Sequence, residues 1–317
     1  MGCSIIIRAY NEEKHIGRLL DGISRQTVQE PEIILVDSGS TDQTVAIAAG
    51  FPVKILHLPP EEFSFGHSLN LGIAEAQHET VVLASAHVYP VYPDWLERLL
   101  EPFAEARIGL CYGKQRGNAG GNPASNFAEQ QVFAHWFPDQ SCPRQMHPFC
   151  NNANAAIRRS LWEGHPYDET LTGLEDLAWA RWLIDQGLAL AYVAEAEVIH
   201  VHNEPPRGVY NRYRREAMAF KRLFPEQRFS LVDFTRLVVR NIASDMWHAA
   251  HQKALRESLA EIVWFRWMQF WGTYQGYRHP GPVTQQLRRT FYYPRDIQTI
   301  PTQTAREMEP IRYNQPS

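Results

Sequence analysis

Two histidines separated by one residue close the segment AYVAEAEVIHVH, and the period-two alternation of an extended strand turns the rings of His200 and His202 to the same face. Imidazoles so paired can hold a metal ion or an anionic oxygen, or stand as two partly exposed rings at a sheet edge. Glu175-Asp176 sets two adjacent carboxylates at the start of a helical run, where the helix dipole alone would favour them. In Asp37-Ser38-Gly39-Ser40-Thr41-Asp42, the carboxylate of Asp37 can accept hydrogen bonds from a ring N–H, while Ser38, Ser40 and the loop amides can meet sugar or phosphate oxygens. Ser40, Thr41 and Asp42 are also good helix caps. Asn151, Asn152 and Asn154 cluster amides suited to hydroxyl recognition or to capping turns. Arg212, Arg214 and Arg215 lie in a basic-aromatic run that would either close over an anion or form a solvated helix face.

The elements that must position these groups alternate. Ser4–Arg8 is a β-branched run, and Ile16, Leu19, Leu20 and Ile23 recur at helical spacing within 12–23. Strands are expected at 32–36, 53–58 and 80–84, with helices at 44–49 and 68–76 between them. This alternation implies right-handed crossovers and a mostly parallel sheet, whose ligands sit beyond the strand carboxyl ends. The polar clusters at Tyr10-Asn11, 37–42 and 85–87 fall at that edge. The Gly/Asn-rich stretch 113–126 reads as a mobile loop, followed by an aromatic segment at 127–137. A strand and helix are expected after Pro148, a helix over 175–185 and a strand over 191–201. Beyond Pro206 the pattern is helical to about Tyr277, and the remaining residues hold too many prolines and polar groups for helices.

Composition bounds the function. At 317 residues, with 44% hydrophobic and 21% charged, the chain can bury a full core, and its net charge of −4 gives no general pull toward nucleic acid. Cys3, Cys111, Cys142 and Cys150 lack paired metal-site spacing and are too few for a disulfide scaffold, which fits a reducing cytoplasm. The N-terminal apolar run is only Ile5–Ile7, so neither a signal peptide nor a spanning helix is expected there.

The opening SIIIRAYNEEKHIGRLLDGI and the segment EIILVDSGSTDQTVAIA, followed in order by LASAHVYP, the asparagine cluster and GLEDLAWARWL, resemble the inverting family 2 glycosyltransferases over residues 4–205. The resemblance implies an α/β GT-A domain at 1–205, a mostly parallel sheet flanked by helices, with a helical C-terminal extension and tail at 206–317. It implies that Asp37 reads a uracil or thymine ring and that Ala9, Tyr10 and Glu12 line the nucleoside. Ser38, His67, Asn70, Ser85 and Ala86 would adjoin the nucleotide, and Asn151, Asn152, Asn154 and Trp179 the donor or acceptor pocket. Tryptophans of this kind are more often core. Asp176 is assigned as the catalytic base, with Glu175 as neighbour or second candidate.

Where the family carries an Asp-x-Asp motif for a divalent cation, this sequence reads Ser85-Ala86-His87, which removes both hard anionic ligands. Mn²⁺ or Mg²⁺ is the cofactor the resemblance implies, with His87, His200 and His202 as ligands to metal or diphosphate; imidazole suits Mn²⁺ or softer ions better than Mg²⁺. The implied partners are a nucleotide-sugar donor and a glycan or lipid-linked acceptor, with a homodimer or peripheral membrane contact made through the tryptophan-rich C-terminal helices. The expected location is cytoplasmic, at the inner face of a membrane. Two other readings are a non-catalytic nucleotide-sugar-binding relative, against which the Glu175-Asp176 pair argues, and an NAD-dependent oxidoreductase. The latter lacks its GxGxxG turn after the first strand.

Overall fold

The computed structural model describes residues 2–118, 125–202, 204–278, 309 and 311–313. The chain begins with β1 (Cys3–Ala9), α1 (Ile16–Ser24), β2 (Glu32–Asp37), α2 (Thr44–Ala48), β3 (Lys54–His57), α3 (Phe65–Ala74) and β4 (Thr80–Ser85). These strands pair in parallel in the order β3-β2-β1-β4. A strand covered on both faces must be apolar throughout, and β1 is: Ile5 and Ile7 pack with Ile16, Leu19 and Leu20 of α1, whereas Ile6 packs with Leu69 and Ile73 of α3. α1 starts four residues after Glu12 because Glu12 to His15 forms a turn that its carbonyls close. α3 starts earlier than its apolar periodicity indicates, since the Ser64 side chain caps it by accepting from the His67 amide at 3.0 Å.

The sheet continues through β5 (Val88–Pro90), α4 (Trp95–Leu100), β6 (Ile108–Arg116), α5 (Phe127–Trp136), β7 (Cys142–Gln145), β8 (Asn154–Arg158), α6 (Arg159–Gly164), α7 (Glu175–Asp185) and β9 (Ala189–His200). Its order is β4-β8-β6-β9-β5, with β7 also on β9. Here the pairing is mixed: β6 and β9 are parallel, while β8 runs antiparallel to both β4 and β6. The reversal matters for function. β8 brings its beginning to the edge where β1, β4 and β9 end, so Asn154 pairs with Ala84 and residues 151–153 join that edge.

The glycine-rich stretch after Tyr112 does not begin as a loop. Gly113 to Arg116 complete β6, and glycine is required at 113 because a β-carbon would collide with the Ala196 carbonyl and the Asn154 amide. Residues 119–124 of the expected loop, and 279–308 of the tail, lie outside the described residues.

Beyond Pro205 come α8 (Pro206–Leu223), α9 (Leu231–His251) and α10 (Leu255–Arg278), so the expected helical run is broken twice. Ser230 and Asp233 form a reciprocal capping box that starts α9. Val209 and Tyr213 of α8 and Ile262 and Phe265 of α10 bury Phe127 and Ala128 of α5. A bidentate pair, Arg266 Nε to Asp245 Oδ2 at 2.7 Å and Nη2 to Oδ1 at 3.0 Å, fixes α10 to α9, and the same guanidinium donates to the Ala128 carbonyl. No helix among the described residues is long and apolar enough to cross a membrane.

Asn154 locks the mixed half of the sheet. Its amide donates to the carbonyls of Ala196 at 2.8 Å and Lys114 at 3.2 Å and accepts from the Trp95 indole at 2.9 Å, with the side chain wholly buried. Each buried group left unsatisfied costs roughly 1–3 kcal/mol, so Asn154→Ala is expected to lower the unfolding free energy by about 3 kcal/mol. Urea denaturation measures it, and a loss under about 0.5 kcal/mol, the scale of an ordinary surface change, would refute the assignment.

Candidate active site

The carboxyl ends of β1, β4 and β9 border a cleft of about 680 Å³. On one wall α7 opens at Glu175, immediately after Leu174, whose backbone is left-handed at φ 59 and ψ 26. A non-glycine residue held there stores strain of order 1–3 kcal/mol, and the turn it makes presents both carboxylates to the cleft. Glu175 pairs with Arg8 at the end of β1, Nη1 to Oε1 at 3.3 Å. Asp176 accepts from the Leu177 amide at 2.8 Å and from the Asn152 amide at 3.3 Å. Burial first, and then the Glu175 charge, push its carboxyl up to about 7, against the opposing pull of those two amides and Arg8. A carboxylate so poised takes up and releases a proton near neutrality.

Arg8 and Arg215 lie over the Phe65 ring, at 5.1 and 4.5 Å from its centroid. Arg215, Arg212 and Glu216 come from α8, so the C-terminal extension supplies part of the cleft wall. Burial raises the Glu216 carboxyl, with Arg212 and Arg215 opposing.

The other end is built on histidine. The β5–β9 pairing sets Val88 opposite His200, and the Val201 amide donates to the His87 carbonyl at 3.1 Å. His87 is thereby brought against the pair predicted at the end of β9. The His200 and His202 ring centroids are 4.1 Å apart, with His87 at 5.0 and 5.6 Å from them. Nδ1 of His87 meets Glu12 Oε1 at 2.7 Å, that of His200 meets Gln115 Oε1 at 2.6 Å, and that of His202 meets Glu129 Oε1 at 2.8 Å. Burial and the neighbouring rings lower the His200 pKa well below its ordinary value, which keeps that imidazole neutral. One donor atom from each of the three histidines lies within 4.8 Å of the others, so the donor set fits a divalent cation.

Of the other residues singled out in the sequence, Glu12, Ser85, Asn151 and Asn152 line this cleft. Ala9, Asp37 and Ser38 are buried at the ends of β1 and β2, outside its lining, and Tyr10 is exposed beside them. Asp37 accepts from the Gly39 and Ser40 amides at 3.2 Å each, holding a turn in which Gly39 has φ 86. The loops after β1 and β2 are stitched together: the Asn11 amide donates to Ser40, the Glu12 amide to Thr44, and the Glu13 amide to Asp42. His67 faces Glu169, and Asn70 bonds the Tyr167 backbone and the Trp162 indole. Ala86, Asn154 and Trp179 are in the core, where Trp179 Nε1 donates to the His165 carbonyl at 2.7 Å. Sequence reasoning missed Arg8, His15 and Glu216. Arg8 lies inside a strand, where nothing in the local pattern shows that its side chain reaches α7.

The chain matches the family model described as "Glycosyl transferase family 2" over residues 4–164. It is 28% identical over 224 residues to the O-antigen chain rhamnosyltransferase RfbN of Salmonella typhimurium, covering 67% of this chain and 70% of that one. It is 30% identical over 199 residues to the O-antigen chain rhamnosyltransferase WbaN of Salmonella anatum, covering 60% and 62%. Among solved structures, the mannosyltransferase PcManGT from Pyrobaculum calidifontis, in complex with GDP-Man and Mn²⁺, aligns with TM-score 0.56 at 20% identity, over 87% of this chain and 84% of that one. TarS of S. aureus, in complex with UDP-GlcNAc, aligns with TM-score 0.52 at 17% identity, over 85% and 90%. These likenesses establish the GT-A fold.

The Glu175 charge is one cause of the Asp176 shift, and Arg8 is held by Glu175. Glu175→Gln removes the like charge and frees the cation, and both changes favour ionised Asp176. By carboxyl-carbon NMR titration, the Asp176 midpoint is expected to fall by about one unit or more, the usual scale for a neighbouring charge. An unmoved midpoint would leave burial as the sole cause.

Proposed function

The chain belongs to glycosyl transferase family 2, and from that premise we propose that it transfers a sugar, with inversion, from a nucleoside-diphosphate donor to a hydroxyl of a growing cell-surface glycan. The observation that carries this reading is a single cleft in which Asp176, held near neutrality in its proton affinity, shares the walls with His87, His200, His202, Arg212 and Arg215. The acceptor oxygen attacks the anomeric carbon, the bond from that carbon to the diphosphate oxygen breaks, and Asp176 takes the acceptor proton. The histidine and arginine end receives the departing diphosphate. A divalent cation, when bound there, supplies positive charge to that leaving group.

Residues 1–205 are the transfer domain in this reading, and 206–317 the extension and tail, whose first helix lends it Arg212 and Arg215. The exposed Tyr10 ring supports nucleoside binding at the ends of β1 and β2. The relatives' rhamnosyl activities make a dTDP-deoxyhexose the first donor to test, ahead of UDP-galactose and UDP-N-acetylhexosamines. Leu259, Val263 and Trp267 stand exposed along α10. That stripe supports α9 and α10 as a face for a second subunit or for the inner membrane leaflet bearing a lipid-linked acceptor.

Asp176→Asn is expected to lower kcat by a factor of about 10²–10⁴, the scale of general-base catalysis, while the donor's dissociation constant measured by calorimetry stays within about twofold. In the unaltered protein kcat/KM should climb as pH rises through about 7, because a carboxyl with a raised pKa is protonated, and useless as a base, below that value. A fully active Asp176→Asn enzyme would remove this residue from the base position. A nucleotide that binds while no sugar is transferred from any donor would favour the non-catalytic reading.

A further inference from the structure

Each of the three histidines in the cleft has one ring nitrogen committed and one uncommitted. The acceptors on Nδ1, the oxygens of Glu12, Gln115 and Glu129 at 2.6–2.8 Å, fix the Nδ1–H tautomer and leave the Nε2 lone pair as the donor. His200 is 4% exposed, and its Nε2 is buried with no hydrogen-bond partner. An orphaned buried acceptor is costly, and a cation is the partner that three convergent lone pairs would share. One nitrogen of each ring lies within 4.8 Å of those of the other two. Small ring rotations close that to the roughly 3.3 Å between nitrogens bound to one tetrahedral ion at 2.0–2.1 Å.

A second grouping, Glu129, His202 and Glu204, also has metal-like spacing. Its carboxylates are already occupied: Glu129 holds His202 and Arg212, and Glu204 holds Arg212 at 2.7 Å. The three-histidine set is therefore the one with free ligand capacity.

Charge gives independent support. The residues lining the cleft include seven carboxylates against four arginine and lysine side chains, two of which, Arg8 and Arg212, are bound to glutamates. A diphosphate entering such a cleft meets more negative charge than the arginines offset, and a bound cation would make up the difference. Imidazole donors, unlike carboxylates, add no anionic charge, so an ion they hold keeps its full double charge for the incoming oxygens.

We propose that His87, His200 and His202 form a three-imidazole centre for a late first-row dication, Co²⁺, Ni²⁺ or Zn²⁺, which they bind through Nε2 in preference to Mg²⁺. Nitrogen donors suit those ions, whereas Mg²⁺ demands oxygen ligands and gives up its water reluctantly. Two carboxylates would have served Mg²⁺ or Mn²⁺; the chain has neither at 85–87. The coordination positions not taken by histidine are left for diphosphate oxygens, and in that respect only the proposal rests on the transferase reading.

The test is titration of the full-length, chelator-stripped protein with Co²⁺ alone, read by visible absorption, and then competition by Zn²⁺ and by Mg²⁺. One Co²⁺ per chain is expected, with the intense bands of a four- or five-coordinate site, displaced by stoichiometric Zn²⁺ and unaffected by millimolar Mg²⁺. His200→Ala and, separately, His87→Asn should each weaken Co²⁺ binding by at least about 10–100-fold while circular dichroism remains unchanged. If His200→Ala fails to fold, His87→Asn at the more exposed ring decides. A weak octahedral spectrum insensitive to both substitutions, or equal competition by Mg²⁺, would overturn the centre. Transfer assayed in chelator separates the two readings: sugar transfer without any Co²⁺ site refutes the metal centre alone. A Co²⁺ site in a protein that transfers no sugar from any donor refutes the transferase alone.

Discussion

A carboxylate as deeply buried as Glu129, 2% exposed, is sustained only by partners, and it has two: His202 at 2.8 Å and Arg212 at 2.7 Å. Burial opposes its charge, but His202 and Arg212, both donating to it, outweigh burial and hold its carboxyl down at about 2. The partners come from the end of β9 and from α8, and Glu129 itself from α5. One buried group therefore fastens the helical extension to the floor of the cleft. Around it, the Phe127 amide donates to Glu261 of α10, and the Ala128 carbonyl accepts from Arg266. The three C-terminal helices are thus anchored on the element that orients a site histidine. Arg212 and Arg215 owe their positions in the cleft to that anchorage.

The cleft wall and the layer behind it hold carboxyls under opposite conditions. Glu129 is buried between two donors, His202 and Arg212, and stays ionised. Asp176 is buried beside the like charge of Glu175 and resists ionisation until near neutrality. Environments that drive two carboxyls apart in this way suit them to different work: one to supply a fixed negative charge behind an imidazole, the other, in the proposed transfer, to accept a proton. Neither assignment is visible in residue type. It follows from which strand or helix end each carboxyl faces.

That distinction marks how far the sequence could be read. The parallel half of the sheet was legible because β1, β2 and β4 are buried on both faces and so spell unbroken apolar runs between turn residues. His200 and His202 were legible as a pair because strand periodicity alone puts them on one face. The meeting with His87 depends on the three-residue strand β5 pairing with β9, and a run as short as Val-Tyr-Pro carries no periodic signal. Gly113 misled for a related reason: glycine marks both a flexible loop and a close approach of backbone, and here Ala196 and Asn154 make it the latter. Asn154 and Asn152 look alike in sequence. A register difference of two residues sends the Asn154 side chain into the core and leaves Asn152 at the cleft, its backbone N–H donating to Asp176.

The absence of carboxylates at Ser85 and His87 can be understood from the company these residues keep. An acidic pair there would add two charges to a cleft already rich in carboxylates, and each would need either an ion or a proton to be tolerated. Imidazole separates the two requirements. Its Nε2 faces the cleft without charge, and its Nδ1–H hands the demand for negative charge to Glu12 or Glu129 behind it. Those carboxylates are stabilised by the proton they accept a bond from, or by Arg212, whether or not an ion is present. A site built this way keeps its geometry when empty, because each ring is oriented by a bond on the side away from the cleft. In the proposed transfer a diphosphate comes and goes with every turnover, and that preorganisation would keep the rings in place for it.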